Sequence, residues 1–264
     1  MKKIMLSLSS YKERWYNIII IYKEVICMKR ILFMILKNII HVPGMIIRLW
    51  RYAANVDKYT EEERNEFLRE IVGYANRGGN VTIQATGVEH IPNKNGFIMY
   101  PNHQGMYDML ALLDVCPKPL SVVSKKEVAN IPLLRSIFKI DKAIFIDRED
   151  VKQSMQVIIQ VAKEVAGGRN FVIFPEGTRS KNGNIVGEFK GGSFKAAMKA
   201  KCPIVPVALI DSFKPFDTNS IKQVTVQVHI LEPLLYEEYK DMKTIEIAEE
   251  VKRRIVEKIG YQKN

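Results

Sequence analysis

From Thr60 to the carboxyl end, short apolar runs alternate with helix-length periodic stretches, and this alternation restricts the chain to a layered α/β architecture. Residues 81–86, 97–100, 171–174 and 204–210 read as strands, and 120–123 and 143–146 are further short apolar runs. Several of these are apolar throughout, the pattern of strands covered on both faces. Residues 224–228 (Val-Thr-Val-Gln-Val) alternate as a half-exposed strand does. Thr60 and Glu63 form a capping box for a helix that runs to Gly78-Gly79. A long periodic helix follows Asp150 and stops at Gly167-Gly168, another covers about 192–201, and one from about Thr244 closes the chain. The expected fold is α/β, a mixed and largely parallel sheet covered by helices. No repeat, low-complexity tract or further boundary follows residue 60.

The first 59 residues differ from the rest. Between Glu24 and Asp57 there is no acidic residue, whereas Lys29, Arg30, Lys37, Arg48 and Arg51 are basic and punctuate apolar blocks. No block reaches the ~18 uninterrupted apolar residues of a spanning helix, and the start lacks the apolar core and small-residue cleavage site of a signal peptide. Apolar blocks with basic edges and a Trp suit helices lying in an anionic membrane interface. Pro43-Gly44 is expected to break the segment into a helical hairpin; the competing reading packs that hairpin on the main domain. The expected organisation is therefore residues 1–59 as interface helices and 60–264 as the α/β domain. Met28-Lys29-Arg30 itself reads like a natural start, which would make residues 1–27 a dispensable extension.

Composition narrows the class without fixing the function. The 264 residues are 47% hydrophobic and 26% charged, which suits a globular protein, and the net charge of +11 favours anionic partners. Cys27, Cys116 and Cys202 are too few and too scattered for a disulfide framework or a zinc site, so a reducing compartment is expected and no metal. The basic excess falls at an apolar amino end rather than among aromatic stacking residues, and no nucleic-acid-reading motif is present.

Two polar loops immediately follow buried strands, where ligands gather in α/β sheets. The first is Asn102-His103-Gln104-Gly105-Met106-Tyr107-Asp108, and the second is Pro175-Glu176-Gly177-Thr178-Arg179-Ser180. If a helix begins just after His103, Asp108 lies about one turn along and can face the imidazole. A carboxylate on one ring nitrogen fixes the tautomer, and the other nitrogen can then take a proton from a hydroxyl. Taken alone, such a pair reads more readily as a structural His held by an Asp than as a catalytic one. It is the second loop that favours chemistry.

The two loops, with two further segments, resemble the glycerolipid acyltransferase family typified by bacterial lysophosphatidate acyltransferase. Residues 102–108 look like its N-H-x-x-x-x-D block, Ile144-Phe145-Ile146-Asp147-Arg148 its second, 174–180 its third, and Ile204-Val205-Pro206-Val207-Ala208 its fourth. Gly105 stands where many members carry Ser, and Lys142-Ala143 replaces a small-residue pair. The resemblance implies that His103 is the general base and Asp108 its orienting partner. It further implies that Arg148, Glu176, Gly177, Thr178 and Arg179 serve the acceptor's phosphate, through guanidinium forks and a close-approaching backbone. Glu176 can equally position Arg179 or the acceptor. Arg148 has a second reading as a surface ion pair with Asp147 or Glu149, and Lys125 reads either as a basic contact or as part of a solvated charge run.

The activity implied is transfer of an acyl group from acyl-CoA or acyl carrier protein to the free hydroxyl of lysophosphatidate, with no cofactor. Attack is direct, and consistent with this no G-x-S-x-G elbow is present and no Cys adjoins the His. Partners follow from that chemistry: a membrane lipid, a thioester carrier and an anionic surface, with the enzyme at the cytoplasmic face of the membrane as a peripheral or monotopic protein and no role for nucleic acid. The alternatives are another glycerolipid or lysolipid acceptor, or hydrolysis of a phosphorylated lipid by a water that the same dyad activates.

Overall fold

A computed structural model describes residues 29–260, except Ile131 and Glu149. The proposed extension 1–27 and Cys27 lie outside the described residues. Helix α1 (Lys29–Lys37) and α2 (Val42–Ala54) precede α3 (Glu61–Gly78) and β1 (Val81–Thr86). Then come β2 (Ile98–Pro101), α4 (Asp108–Val115), β3 (Ser121–Lys125), α5 (Pro132–Asp141), β4 (Ile144–Ile146), α6 (Val151–Ala166) and β5 (Phe171–Val172). The chain ends with α7 (Lys195–Ala200), β6 (Ile204–Ile210), α8 (Lys214–Asp217), β7 (Val224–Ile230), α9 (Tyr236–Tyr239) and α10 (Thr244–Ile259).

The strands form one seven-stranded sheet in the order β1-β7-β6-β2-β5-β3-β4. Every neighbouring pair is parallel except β6 and β7, so the sheet is mixed and largely parallel, as expected. Because β7 runs against β6, the starts of β1 and β7 lie at the same end of the sheet as the carboxyl ends of β2 and β6. Alternation along β2 sends Met99 to one apolar cluster with Phe67, Leu68, Leu112 and Val228, and Ile98 and Tyr100 to another with Val161, Phe194, Ile247 and Val251. Helices therefore cover both faces.

Local signals explain the helix limits. Thr60 Oγ1 accepts the Glu63 amide at 3.1 Å while Glu63 accepts the Thr60 amide at 2.7 Å, the reciprocal cap read from sequence. Asp150 caps α6 by accepting the Gln153 amide at 3.0 Å. Two expectations are corrected. The break near Pro43-Gly44 falls earlier, between Lys37 and Val42, because proline in the first turn of α2 forfeits no helical hydrogen bond. Strand β5 stops at Val172, after which the Ile173 amide makes one more bond to Met99 O (3.0 Å) and the chain leaves for the second loop.

Among the described residues, no single helix is long and apolar enough to cross a membrane; α1 and α2 reach that length only together, bent by 102°. The pair is packed on the body as well as exposed. Leu49 and Ala53 of α2 join the apolar cluster of α3 and α4. The buried Arg30 guanidinium donates to Gly79 O, to Ser220 O at 2.6 Å and to Lys222 O at 3.0 Å, pinning α1 to the loops before β1 and β7. Its other face leaves Leu36, Ile39, Ile40, Ile47 and Trp50 exposed, Ile40 at 87%.

Candidate active site

Asp108 is the first residue of α4, and the loop before it folds back over its carboxylate. Oδ2 accepts His103 Nδ1–H at 2.7 Å and the Gln104 amide at 2.7 Å, and the Gly105 amide reaches both oxygens at 3.1 Å. Ser212 Oγ donates to Oδ1. The carboxylate is 1% exposed, and five contacts from four donors fix its orientation. The helix thus begins at Asp108 rather than just after His103, and a backbone turn supplies the proximity that the sequence assigned to a helical turn.

An ionised carboxylate only accepts, so the proton between the pair sits on His103 Nδ1 and the Nε2 lone pair is left for a substrate. The imidazole stacks on Phe174, ring centroids 4.1 Å apart, which holds its plane. Behind it Asn102 clamps β2 to β6, donating to Leu209 O (3.0 Å) and accepting the Leu209 amide (2.7 Å).

The second loop grips the first through its backbone. Glu176 Oε1 accepts the His103 amide at 2.7 Å and Oε2 the Gly187 amide at 3.1 Å, and the Ser180 amide donates to His103 O at 2.7 Å. Burial pushes the Glu176 carboxyl up, and the two amides and His103 oppose that shift. Both Glu176 oxygens are therefore occupied. A carboxylate only accepts and so offers a phosphate no donor, and its two amide contacts tie the His103 loop to Gly187. It makes no hydrogen bond to Arg179.

Gly177 (φ +72°) bends the loop in the left-handed region that favours glycine. It borders a cavity of about 270 Å³ together with Arg148, Phe174 and Lys190, and apolar residues of α6 and β4 supply much of the remaining wall. Thr178 and Arg179 are exposed on the loop beyond it. Arg179 lies in the field of Asp217, whose carboxyl is pushed up by partial desolvation and by Asp108, with Arg179 opposing. The structure thus brings His103, Asp108, Glu176 and Gly177 together, with Arg148 lining the same cavity as Gly177. Lys125 stands apart, paired with Glu127 at 3.2 Å on the surface. Asp147 pairs with Lys126.

Sequence reasoning missed Gln104, Ser212 and Lys190. Gln104 Oε1 accepts the Ser212 amide (2.8 Å), coupling the His103 loop to the end of β6. Applying the strand-end rule to β6, as to β2 and β5, would have found Ser212. Gly105 is explained by close approach, since a Cβ there would lie 3.0 Å from Phe213 Cα and 3.1 Å from Asp217 Oδ2. The buried thiols of Cys116 and Cys202 are pushed up to about 11 and about 12 by desolvation, which leaves them poor nucleophiles. Among the described residues, no cluster of three His, Cys, Asp or Glu could hold a metal ion.

Residues 82–210, the segment carrying both loops, match the family described as Acyltransferase. The chain is similar to the 1-acyl-sn-glycerol-3-phosphate acyltransferase of Borreliella burgdorferi, 31% identical over 156 residues, 59% of this chain and 62% of the relative. It is 28% identical over 177 residues to the alpha form from Mus musculus (65% and 61% covered) and 29% over 164 residues to the enzyme from Escherichia coli (62% and 66%). The chain spans about three fifths of the length of the first two relatives. The crystal structure of the 1-acyl-sn-glycerophosphate acyltransferase PlsC from Thermotoga maritima shares the fold, with a TM-score of 0.66 at 21% identity over 92% of this chain and 98% of that one.

Proposed function

We propose that this chain, whose residues 82–210 match the Acyltransferase family, transfers a fatty acyl group from a thioester to the free hydroxyl of lysophosphatidate. The observation that carries the reading is the 2.7 Å contact between His103 Nδ1 and a five-times-bonded Asp108, which leaves Nε2 as the base. Nε2 takes the acceptor's hydroxyl proton as the oxygen attacks the thioester carbonyl. The tetrahedral intermediate collapses with cleavage of the C–S bond, and the imidazolium returns its proton to the departing thiolate. Asp108 stabilises the imidazolium between the two steps. No acyl-enzyme is formed, in keeping with the inert buried thiols.

Phosphate recognition falls to Arg148, Arg179 and the backbone around Gly177 and Thr178, with the cavity's apolar wall meeting an alkyl portion of the substrate. The exposed face of α1 and α2 lies in an anionic membrane interface, where long-chain acceptor and product both reside. Either anionic carrier, CoA or acyl carrier protein, suits the basic surface. The test is a panel of acyl-CoA and acyl carrier protein donors against lysophosphatidate, glycerol 3-phosphate and phosphate-free monoacylglycerol, with products read by mass spectrometry. The reading expects phosphatidate from lysophosphatidate as the dominant product. Preferred acylation of glycerol 3-phosphate or monoacylglycerol would reassign the acceptor.

A further inference from the structure

The cavity beside the His103 loop has a divided lining. Val123, Ile146, Ile158, Val161 and Ile173 make one wall apolar, while Arg148 and Lys190 stand on its border with Gly177. Among the described residues, neither cation has an ion pair. Desolvation pushes the Arg148 guanidinium down, and the acid that opposes this is Glu127, which is itself paired with Lys125. Two solvent-reached cations at the edge of an apolar wall make a positive border that attracts an anion.

Lys190 is held in place by its surroundings. Its amide donates to Pro175 O at 3.0 Å, which ties it to the start of the second loop. Its ammonium lies over Gly177, so close that a side chain on Gly177 would come within 3.1 Å of Nζ. Phe174, three residues before Gly177, borders the same cavity and carries the His103 ring on its face. An anion at this border would thus lie near the proposed base, with its apolar substituent directed along the cavity wall.

We propose that Lys190 is a substrate-binding residue that, with Arg148 on the same cavity, holds the phosphate of the lipid acceptor. This rests on the acyltransfer reading and extends it with a residue outside the four blocks that the family resemblance covers. The amphipathic cavity fits a phosphomonoester bearing an alkyl chain better than a free phosphate, which would leave the apolar wall unfilled.

The test compares Lys190→Met, which keeps the aliphatic stem over Gly177 and removes only the charge, with Lys190→Arg. Both are assayed on lysophosphatidate and on phosphate-free monoacylglycerol, with inorganic phosphate as a competing inhibitor. A charge-assisted contact to phosphate supports a KM rise of roughly 10- to 100-fold for lysophosphatidate in Lys190→Met, with kcat changed far less. The phosphate-free acceptor should be handled as by the wild type, Lys190→Arg should restore most of the loss, and inhibition by inorganic phosphate should weaken in parallel. A wild type that prefers the phosphorylated acceptor, with a Lys190→Met variant that keeps that preference, would overturn the role of Lys190 alone. A wild type without such a preference would remove the underlying phosphate reading and this inference with it.

Discussion

Glu176 Oε1 accepts the backbone N–H of His103 at 2.7 Å, so the carboxylate of one strand-end loop sets the position of the proposed base carried by the other. Removing it in Glu176→Ala strands two amides, those of His103 and Gly187, at a cost of about 1–3 kcal/mol each. The expected outcome is a lowered Tm and a kcat reduced by at least about tenfold, with KM for the phosphorylated acceptor little changed. Glu176→Gln keeps one acceptor and should lose less. A variant whose only defect is KM for phosphorylated acceptors would support the phosphate assignment.

Asp108→Asn tests the tautomer. The Gln104 amide and His103 Nδ1 share Oδ2, so an Asn carbonyl placed there keeps the ring proton on Nδ1 but brings no charge to stabilise the imidazolium, whereas the opposite amide orientation turns NH₂ to Nδ1 and moves the ring proton to Nε2, where the lone pair is needed. In the best-studied His–Asp system the same change costs about 10⁴ in kcat, and a loss of at least about 10³ is expected here. Steady-state kinetics with NMR of the imidazole nitrogens checks both halves. Normal turnover with an inverted tautomer would contradict the assignment of Nε2 as base.

The α/β order is legible because its signals are local. The run at 97–100 is buried on both faces, and Thr60 and Glu63 cap each other three residues apart. Features that depend on distant partners are not. Nothing in residues 224–228 says that β7 runs antiparallel to β6 and parallel to β1. The His–Asp pairing is readable from spacing, but its cause is a backbone turn, and the second amide that Glu176 accepts comes from Gly187, which no motif marks. Lys190 enters the site only because its loop folds back on Pro175.

The interface reading predicts that the exposed side chains of α1 and α2, rather than its packed face, hold the enzyme on lipid. Deleting residues 1–52 is a poor test, because it would strip the buried Leu49 and the pinned Arg30 from the body. Changing Leu36, Ile40, Ile47 and Trp50 together to Ser spares those contacts. Each lost apolar group removes up to about 1.5–3 kcal/mol of burial, while the basic residues contribute roughly 1 kcal/mol apiece and are screened by salt. The variant should fold normally yet fail to co-sediment with anionic vesicles, and the wild type should be released more readily at high salt. Equal vesicle binding by the two would defeat the anchor.

Asp141 predicts a pH-dependent stability unrelated to catalysis. Its buried carboxyl, which accepts the Val122 amide at 3.1 Å, is pushed up to about 7 by desolvation, with Arg169 and Arg64 opposing. A folded-state value above the unfolded one means that stability is fully present below the unfolded value, about 3.9, and is lost as pH rises through about 7. Asp141→Asn retains a carbonyl acceptor without the charge. Its Tm should exceed that of the wild type by roughly several degrees at pH 8, with the gap narrowing toward pH 5. Melting curves that stay parallel across this range would contradict the burial cost.

The most direct test measures thioester consumption and phosphatidate formation together, in wild type and His103→Ala, with and without lysophosphatidate. The account predicts one phosphatidate for each thiol released by the wild type, little thiol release without acceptor, and a loss of at least about 10³-fold in His103→Ala with unchanged circular dichroism and acceptor binding. Thiol release that continues without acceptor and yields free fatty acid would make the protein a hydrolase. Near-wild-type phosphatidate formation by His103→Ala would remove His103 as the base.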